Sequence, residues 1–227
     1  MWRKRARWID SDLRLSGYCK ERDDLALMDL LMPKIYTGNG LVKTNILDGK
    51  KALDVGCGSR KLPGAVGIDV LKTPEVDIVY NLSIFPWPLR ENEFDVILMS
   101  HSLEHMDDLL KTLSEIHRVS RSGAHIIIQV PYFRSTDAYT DPTHRHFFTS
   151  HSLDYFCEGE NITNACGASY VPFRFRKLGF WYGARVSRNP LRQFVKTFMH
   201  RYPQFYDQYL SLLVPVASIT WELEVIK

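Results

Sequence analysis

The fold is decided by the segment Lys51-Ala52-Leu53-Asp54-Val55-Gly56-Cys57-Gly58. Its first half is a short apolar run, which predicts a buried strand that leads directly into two closely spaced glycines. Because glycine has no Cβ, the backbone can turn sharply there and approach a ligand closely. Ligands of open α/β sheets bind beyond the carboxyl ends of the strands, so this turn is predicted to form part of a binding site.

Four further strands are predicted downstream of this segment. They cover residues 65–70, 76–80, 94–99 and 124–130. Before the last of these strands, apolar residues recur at helical spacing over residues 103–119, and Ser122-Gly123 is predicted to end that helix. Short apolar strands that alternate with helices indicate a doubly wound, mostly parallel sheet.

The C-terminal part contains two more strand candidates, one within residues 174–185 and one over residues 219–226. Together they predict an antiparallel hairpin at the sheet edge, which completes seven strands. Residues 1–48 are predicted to form a helical N-terminal extension with an amphipathic run that stops at Pro33. The α/β domain then covers residues 49–227.

Composition and charge limit the class of protein. A chain with 45% apolar and 24% charged residues is typical of a globular domain, and a net charge of +3 neither requires nor excludes a nucleic-acid partner. The four cysteines form no CxxC pair, which argues against a structural zinc site and a disulfide framework. No stretch reaches the roughly 18 apolar residues of a membrane span, and no apolar signal region follows the basic N-terminus. We therefore expect a cytoplasmic protein.

An acidic residue at the end of the second strand narrows the ligand class. Asp69 closes that strand, where a carboxylate can accept hydrogen bonds from both hydroxyls of a ribose. The third glycine of the dinucleotide fingerprint is absent, and the spacing from Gly58 to Asp69 leaves little room for a crossover helix. The pattern therefore favours a nucleotide-like ligand other than NAD.

With these motifs in order, the chain resembles the class I S-adenosylmethionine (SAM)-dependent methyltransferases, and in particular the small type 11 methyltransferase domains. The resemblance covers about residues 51–156. It rests on residues 53–58, 67–70, 94–105 and 115–119. It implies a Rossmann-like α/β fold, SAM as the cofactor and methyl transfer as the reaction, with acceptor-side insertions within residues 131–215.

The resemblance also assigns residues to the cofactor. These are Asp54, Gly56, Cys57, Gly58, Asp69, Val70, Asn81, Leu82, Ser100 and His101. The two glycines are expected beneath the methionine part of SAM, with Asp54 near its amino group and Asp69 on the ribose. Val70 and Asn81-Leu82 are expected around the adenine, and Ser100-His101 beside the sulfonium.

A polar loop after the fifth strand supplies the catalytic candidates. It reads Asp141-Pro142-Thr143-His144-Arg145-His146. His144 or His146 is predicted to deprotonate or orient an acceptor hydroxyl, with His105 as a third catalytic candidate. Asp141 and Arg145 are predicted to bind the substrate. The alternative is a loop that is held only by its own hydrogen bonds.

Two metal hypotheses compete with this interpretation. The segment His101-Ser102-Leu103-Glu104-His105 matches HxxEH, the inverted zinc-peptidase pattern, although here it joins a strand end to a helix start. A divalent ion held by Asp141, His144 or His146 could also orient a sugar diol. We nevertheless expect no metal ligands.

The expected acceptor is a hydroxyl of a small molecule or glycan, since residues 60–64 resemble a subgroup associated with glycan methylation. RNA is an alternative because four basic residues are flanked by Trp2 and Trp8 within residues 1–8. A non-catalytic SAM-binding protein is another. The aromatic residues 191–215 are predicted to cover the acceptor pocket or to form a peripheral membrane or dimer contact. The acceptor atom and the oligomeric state do not follow from the sequence.

Overall fold

One mixed sheet of seven strands organises the computed structural model, which describes residues 47, 49–159, 171–183 and 190–227. The strands are β1 (Ala52–Val55), β2 (Val66–Asp69), β3 (Ile78–Val79), β4 (Phe94–Ser100), β5 (Ser120–Pro131), β6 (Arg174–Tyr182) and β7 (Ser218–Ile226). Their spatial order is β3-β2-β1-β4-β5-β7-β6. β1 to β5 run parallel, and β7 pairs antiparallel with both β5 and β6. The predicted Rossmann-like fold with an antiparallel edge hairpin is confirmed.

Helical segments lie between β4 and β5, between β5 and β6, and between β6 and β7. They are α1 (Leu109–Val119), α2 (Asp137–Thr140), α3 (Pro190–Arg201) and α4 (Pro203–Phe205), with 3₁₀ turns at Leu103–His105 and Asp154–Phe156 and a π-helical turn at Tyr206–Leu210. The apolar face of α1 is fully buried through Leu113, Ile116 and Val119. This face packs into the main hydrophobic core with the side chains of β4 and β5.

The helix predicted over residues 103–119 is two separate elements. Leu103–His105 is a 3₁₀ turn, and α1 begins only after Asp108, whose side chain accepts a hydrogen bond from the backbone of Lys111. Both pieces bury apolar residues, which is why the helical spacing runs through the break.

The prediction that Ser122-Gly123 end this helix is wrong, because both residues lie inside β5. The helix already ends at Val119. Ser120 donates a 2.6 Å hydrogen bond from its hydroxyl to the carbonyl of Ile116, and its backbone is extended. β5 therefore starts directly after the helix.

The connection from β1 to β2 contains turns in place of a helix, as the short spacing indicates. Leu62 and Ala65 from this connection are buried. They pack in a second, smaller apolar cluster with Val96, Ile127 and Trp181. A compact loop thus covers the sheet face beside β1.

A buried carboxylate joins the C-terminal turn to the sheet. Asp207 accepts 2.7 Å hydrogen bonds from the hydroxyls of Tyr132, which directly follows β5, and Tyr182 on β6. Its second oxygen accepts a 2.6 Å hydrogen bond from the hydroxyl of Ser150. Burial, then the hydrogen bond to Asp207 and the charge of Asp207, raise the pKa of Tyr132. This network ties three separate segments together behind the sheet.

Several sequence predictions fall outside the described residues. The helical extension over residues 1–48 is one of them, apart from residue 47, and the basic stretch over residues 1–8 belongs to it. In the ranges that the structure describes, no helix combines the length and apolar character needed to cross a bilayer.

We expect Asp207→Ala to lower the free energy of unfolding by about 3 kcal/mol or more, because three hydroxyl groups would lose their buried acceptor at about 1–3 kcal/mol each. Urea unfolding measures the change. The matched control is Asp107→Ala, which removes an exposed ion pair with Arg145 and should cost less than about 1 kcal/mol. Equal effects of the two substitutions would contradict the role of the network.

Candidate active site

A cavity of about 710 Å³ opens at the carboxyl ends of β1, β4 and β5. Its walls come from the glycine turn after β1, the 3₁₀ turn after β4 and the loop after β5. Nine residues singled out from the sequence line it: Asp54, Gly56, Cys57, Gly58, Ser100, His101, His105, Asp141 and His144. The sheet therefore brings the predicted cofactor turn and part of the predicted catalytic loop to one place.

The glycine turn is held against the segment after β4. Gly56 has a φ of +71°, and a Cβ added there would lie 2.4 Å from the Cβ of Ser102. The hydroxyl of Ser102 donates a 2.7 Å hydrogen bond to the carbonyl of Val55. Gly58 has a φ of +53° and no atom within 4 Å of the position of its missing Cβ. The turn is thus tight on one side and open towards the cavity on the other.

Asp54 brings a desolvated carboxyl group to this cavity. Its Oδ2 accepts a 2.7 Å hydrogen bond from the backbone N–H of Leu62. Burial raises the pKa of Asp54 to about 6, the hydrogen bond from Leu62 opposes that rise, and the charge of Asp69 adds to it. A bound cation would stabilise the ionised form, so the group fits the predicted place beside the amino group of SAM.

Cys57, which lines the cavity next to Asp54, is a neutral thiol. Burial and then the charges of Asp54 and Asp69 raise its pKa to about 11. It therefore packs as a small apolar side chain and lacks the thiolate that a nucleophile needs.

Asp69 shapes the glycine turn from behind. Its Oδ2 accepts a hydrogen bond from the backbone of Gly58, and its Oδ1 accepts one from Leu71, each at 2.8 Å. Asp69 does not line the cavity. Each oxygen keeps a second lone pair, so its place on a ribose stays a prediction.

The three residues predicted around the adenine also lie beyond the cavity lining. Val70 is 59% exposed, whereas the side chain of Leu82 is buried in the main core. Asn81 accepts a 3.0 Å hydrogen bond from the backbone of Ser83 through its side-chain oxygen. Their roles stay predictions.

The end of the cavity beside the predicted catalytic loop holds a cluster of one carboxylate and two imidazoles. One ligand atom each from Glu104, His105 and His144 lies within 4.8 Å of the others. The rings of His105 and His144 meet edge to face at 4.7 Å. Glu104 is 1% exposed, and no hydrogen bond from the described residues reaches either of its carboxylate oxygens. The structure thus adds Glu104, which in the sequence stands out only as part of the HxxEH pattern.

Hydrogen bonds fix the orientation of the two rings. Thr143 donates from its hydroxyl to Asp141 at 2.7 Å, so it must accept from Nδ1–H of His105 at 2.9 Å. The ring of His144 donates from Nδ1 to the carbonyl of Ala138 at 2.9 Å. In both rings Nε2 keeps its lone pair. The hydrogen bonds from Thr143 also hold the pKa of Asp141 below its usual value.

The remaining loop candidates do not line the cavity. The Nε2–H of His146 donates to the carbonyl of Met106 at 2.9 Å, which anchors the loop. Arg145 forms an exposed ion pair with Asp107. These contacts depend on tertiary structure, and no local sequence signal separates His144 from His146.

The HxxEH pattern lacks the structural context of a zinc peptidase. A single helix should carry both histidines on adjacent turns, whereas His101 has a φ of +54° and precedes a three-residue 3₁₀ turn. Nδ1 of His101 lies 3.5 Å from Oε1 of Glu104, and the side chain of His101 is half exposed.

Comparisons with known proteins agree with this architecture. A family model described as a methyltransferase domain matches residues 1–165, which is well over half of the chain. A SAM-dependent methyltransferase from Archaeoglobus fulgidus has a similar fold, with a TM-score of 0.51 and 16% identity over 95% of this chain and 97% of that chain. One from Mesorhizobium loti has a TM-score of 0.47 and 11% identity over 88% of this chain and 97% of that chain. No curated protein sequence matches the chain.

The similarity to the Archaeoglobus fulgidus structure shows the fold alone, and the family match shows the activity class. The predicted cofactor class is thereby confirmed, and the glycine turn and Asp54 fit it. The chain therefore belongs to the methyltransferase-domain family and is a class I SAM-dependent methyltransferase.

Proposed function

We propose that this methyltransferase transfers the methyl group to a hydroxyl oxygen of a small-molecule or glycan-type acceptor. The observation that carries the proposal is the cluster of Glu104, His105 and His144 in the same cavity as the glycine turn. An oxygen acceptor must lose a proton during the transfer, and imidazole is the side chain best suited to accept it near neutral pH.

When bound, SAM supplies an activated methyl group on a good leaving group, so the protein has only to hold, align and deprotonate the acceptor. Asp54 would pair with the amino group, the backbone at Gly58 would approach the ligand without a Cβ in the way, and Asp69 would accept the ribose hydroxyls. These roles support the binding of a cofactor with a cationic end and a ribose.

The acceptor hydroxyl is placed against the two histidines. Nε2 of His144 accepts the hydroxyl proton, and the carboxylate of Glu104, 3.9 Å from this nitrogen, stabilises the imidazolium that forms. The proton then passes from the ring to solvent. His105 lies edge to face with His144 and orients the acceptor oxygen.

RNA stays the alternative acceptor, on account of the basic stretch over residues 1–8. Removal of these eight residues should abolish an RNA activity and leave a small-molecule activity largely intact. Within the C-terminal part that the structure describes, several apolar side chains are exposed: Tyr202, Phe205, Tyr209, Leu212, Leu213 and Val214. No described residue of 191–215 lines the cavity, and a membrane or dimer contact stays a hypothesis for this surface.

We expect Asp54→Asn to weaken the binding of S-adenosylhomocysteine about 10–100-fold, because a hydrogen-bonded charge contributes about 1.5–3 kcal/mol. The same substitution should stabilise the ligand-free protein at pH 7.5. The folded pKa of Asp54 is raised from 3.8 to about 6, so the free energy of unfolding falls as pH rises from about 3.8 to about 6, by up to about 3 kcal/mol in total, and this loss is complete at pH 7.5. Calorimetric titration and thermal unfolding measure the two opposite effects.

The pH dependence gives an independent check of the same carboxylate. We expect the affinity for S-adenosylhomocysteine to fall as pH decreases through 6, because protonated Asp54 has no charge to offer the amino group. In Asp54→Asn the affinity should change little over the same range. A wild-type profile that matches the flat profile of the variant would remove Asp54 from the site.

Substitution of the histidines tests the chemistry. Once the acceptor is in hand, we expect His144→Ala and His105→Ala each to lower kcat by about 100-fold or more, with unchanged binding of S-adenosylhomocysteine. His146→Gln, on the same loop but outside the cavity, should retain most of the activity. Full turnover in both alanine variants would refute the proposed role of the cluster.

A further inference from the structure

We propose that Glu104, His105 and His144 form a binding site for a divalent transition-metal ion at the acceptor end of the cavity. The geometry of the ligands supports the metal site by itself, whereas a part of the ion in catalysis rests on the proposed function. Carboxylate and imidazole in this combination are ligands of zinc and of the other late first-row divalent metals.

The carboxylate of Glu104 is the first reason for a cation. It is 1% exposed, and neither oxygen receives a hydrogen bond from the residues that the structure describes. A buried carboxyl group without hydrogen-bond donors is costly, and buried charges in proteins are normally paired or bound to metals. The two imidazole rings beside it are the groups that would share a cation with it.

The orientation of the rings is the second reason. Metal-binding histidines usually donate their other ring N–H to a carboxylate, a carbonyl or a water, which fixes the tautomer. His144 donates from Nδ1 to a backbone carbonyl, and His105 donates from Nδ1 to Thr143, which in turn donates to Asp141. Both rings therefore keep Nε2 for a ligand.

The third reason is that both ligand-bearing segments are fixed relative to each other. The carbonyl of Glu104 accepts hydrogen bonds from the backbone N–H of Arg145 at 2.8 Å and of His146 at 3.2 Å. The hydroxyl of Ser102 ties the same 3₁₀ turn to β1. The ligand set is thus built on a rigid support, as a metal site requires.

Three protein ligands leave coordination positions open for oxygen atoms of the acceptor. A hydroxyl bound to the ion loses its proton more readily, and that proton passes to solvent. In the metal-bound enzyme, His105 and His144 act as ligands, and the ion takes over the acidification that a histidine base would provide. An acceptor with two adjacent oxygens would fit such a site best.

Titration of the full, chelator-treated chain with Zn²⁺ alone tests the site without SAM or acceptor. We expect saturable binding of one ion, weakened more than about 100-fold by Glu104→Gln or His144→Asn, since even outer partners of a metal ligand contribute 10–100-fold. Thr143→Val should weaken binding about 10–100-fold for that reason. His146→Gln, whose ring points away to Met106, should bind Zn²⁺ like the wild type.

Titration with S-adenosylhomocysteine shows that each variant keeps its fold. Absence of Zn²⁺ binding in the wild type, or an equal loss in His144→Asn and His146→Gln, would overturn the site. Loss of turnover in His144→Ala without any Zn²⁺ binding would overturn the metal and leave the histidine base standing. Zn²⁺ binding as expected, in an enzyme that methylates nitrogen or carbon, would support the metal site and refute the proposed hydroxyl acceptor.

Discussion

The close approach of two backbone segments, one after β1 and one after β4, is the constraint on which the site depends. A Cβ at Gly56 would overlap that of Ser102, and the Ser102 hydroxyl bonds to the last residue of β1. The segment after β1 forms the glycine turn, which is open towards the cavity. The segment after β4 continues into the 3₁₀ turn that carries Glu104 and His105. A single contact therefore sets the distance between the cofactor half and the acceptor half of the site.

Both sides of the cavity bury a carboxyl group away from water, and this burial lowers the stability of the folded protein. Burial raises the pKa of Asp54 to about 6, and Glu104 lies in the interior without a hydrogen-bond donor among the described residues. Neither arrangement benefits the isolated fold. A cation would stabilise either carboxylate, and the cations we propose are an amino group at Asp54 and a metal ion at Glu104. Local instability of this kind is typical of functional sites, where the ligand supplies the missing interaction.

The strand and glycine turn on one side of the cavity could be predicted from sequence because their determinants are local. A strand, a glycine turn and an acid at the end of the next strand stand within 20 residues, and hydrophobic periodicity located the strands of the parallel sheet. The break between the 3₁₀ turn and α1 was missed, since buried Leu103 and Met106 keep the helical spacing. The start of β5 was missed because Ser120 ends the helix through a side-chain hydrogen bond that no periodicity reveals.

The acceptor half could not be predicted to the same depth because long-range contacts define it. His105 contacts Thr143 across 38 positions of sequence, and only that contact shows that Nδ1 is the ring nitrogen engaged in a hydrogen bond. His144 and His146 look equivalent in the sequence. Their hydrogen bonds distinguish them, because His144 bonds through Nδ1 to the carbonyl of Ala138 and His146 bonds through Nε2 to that of Met106. Loops attached to a rigid sheet can change such contacts without loss of the fold. The same sheet can therefore keep its cofactor turn while the segments beyond β5 determine the acceptor.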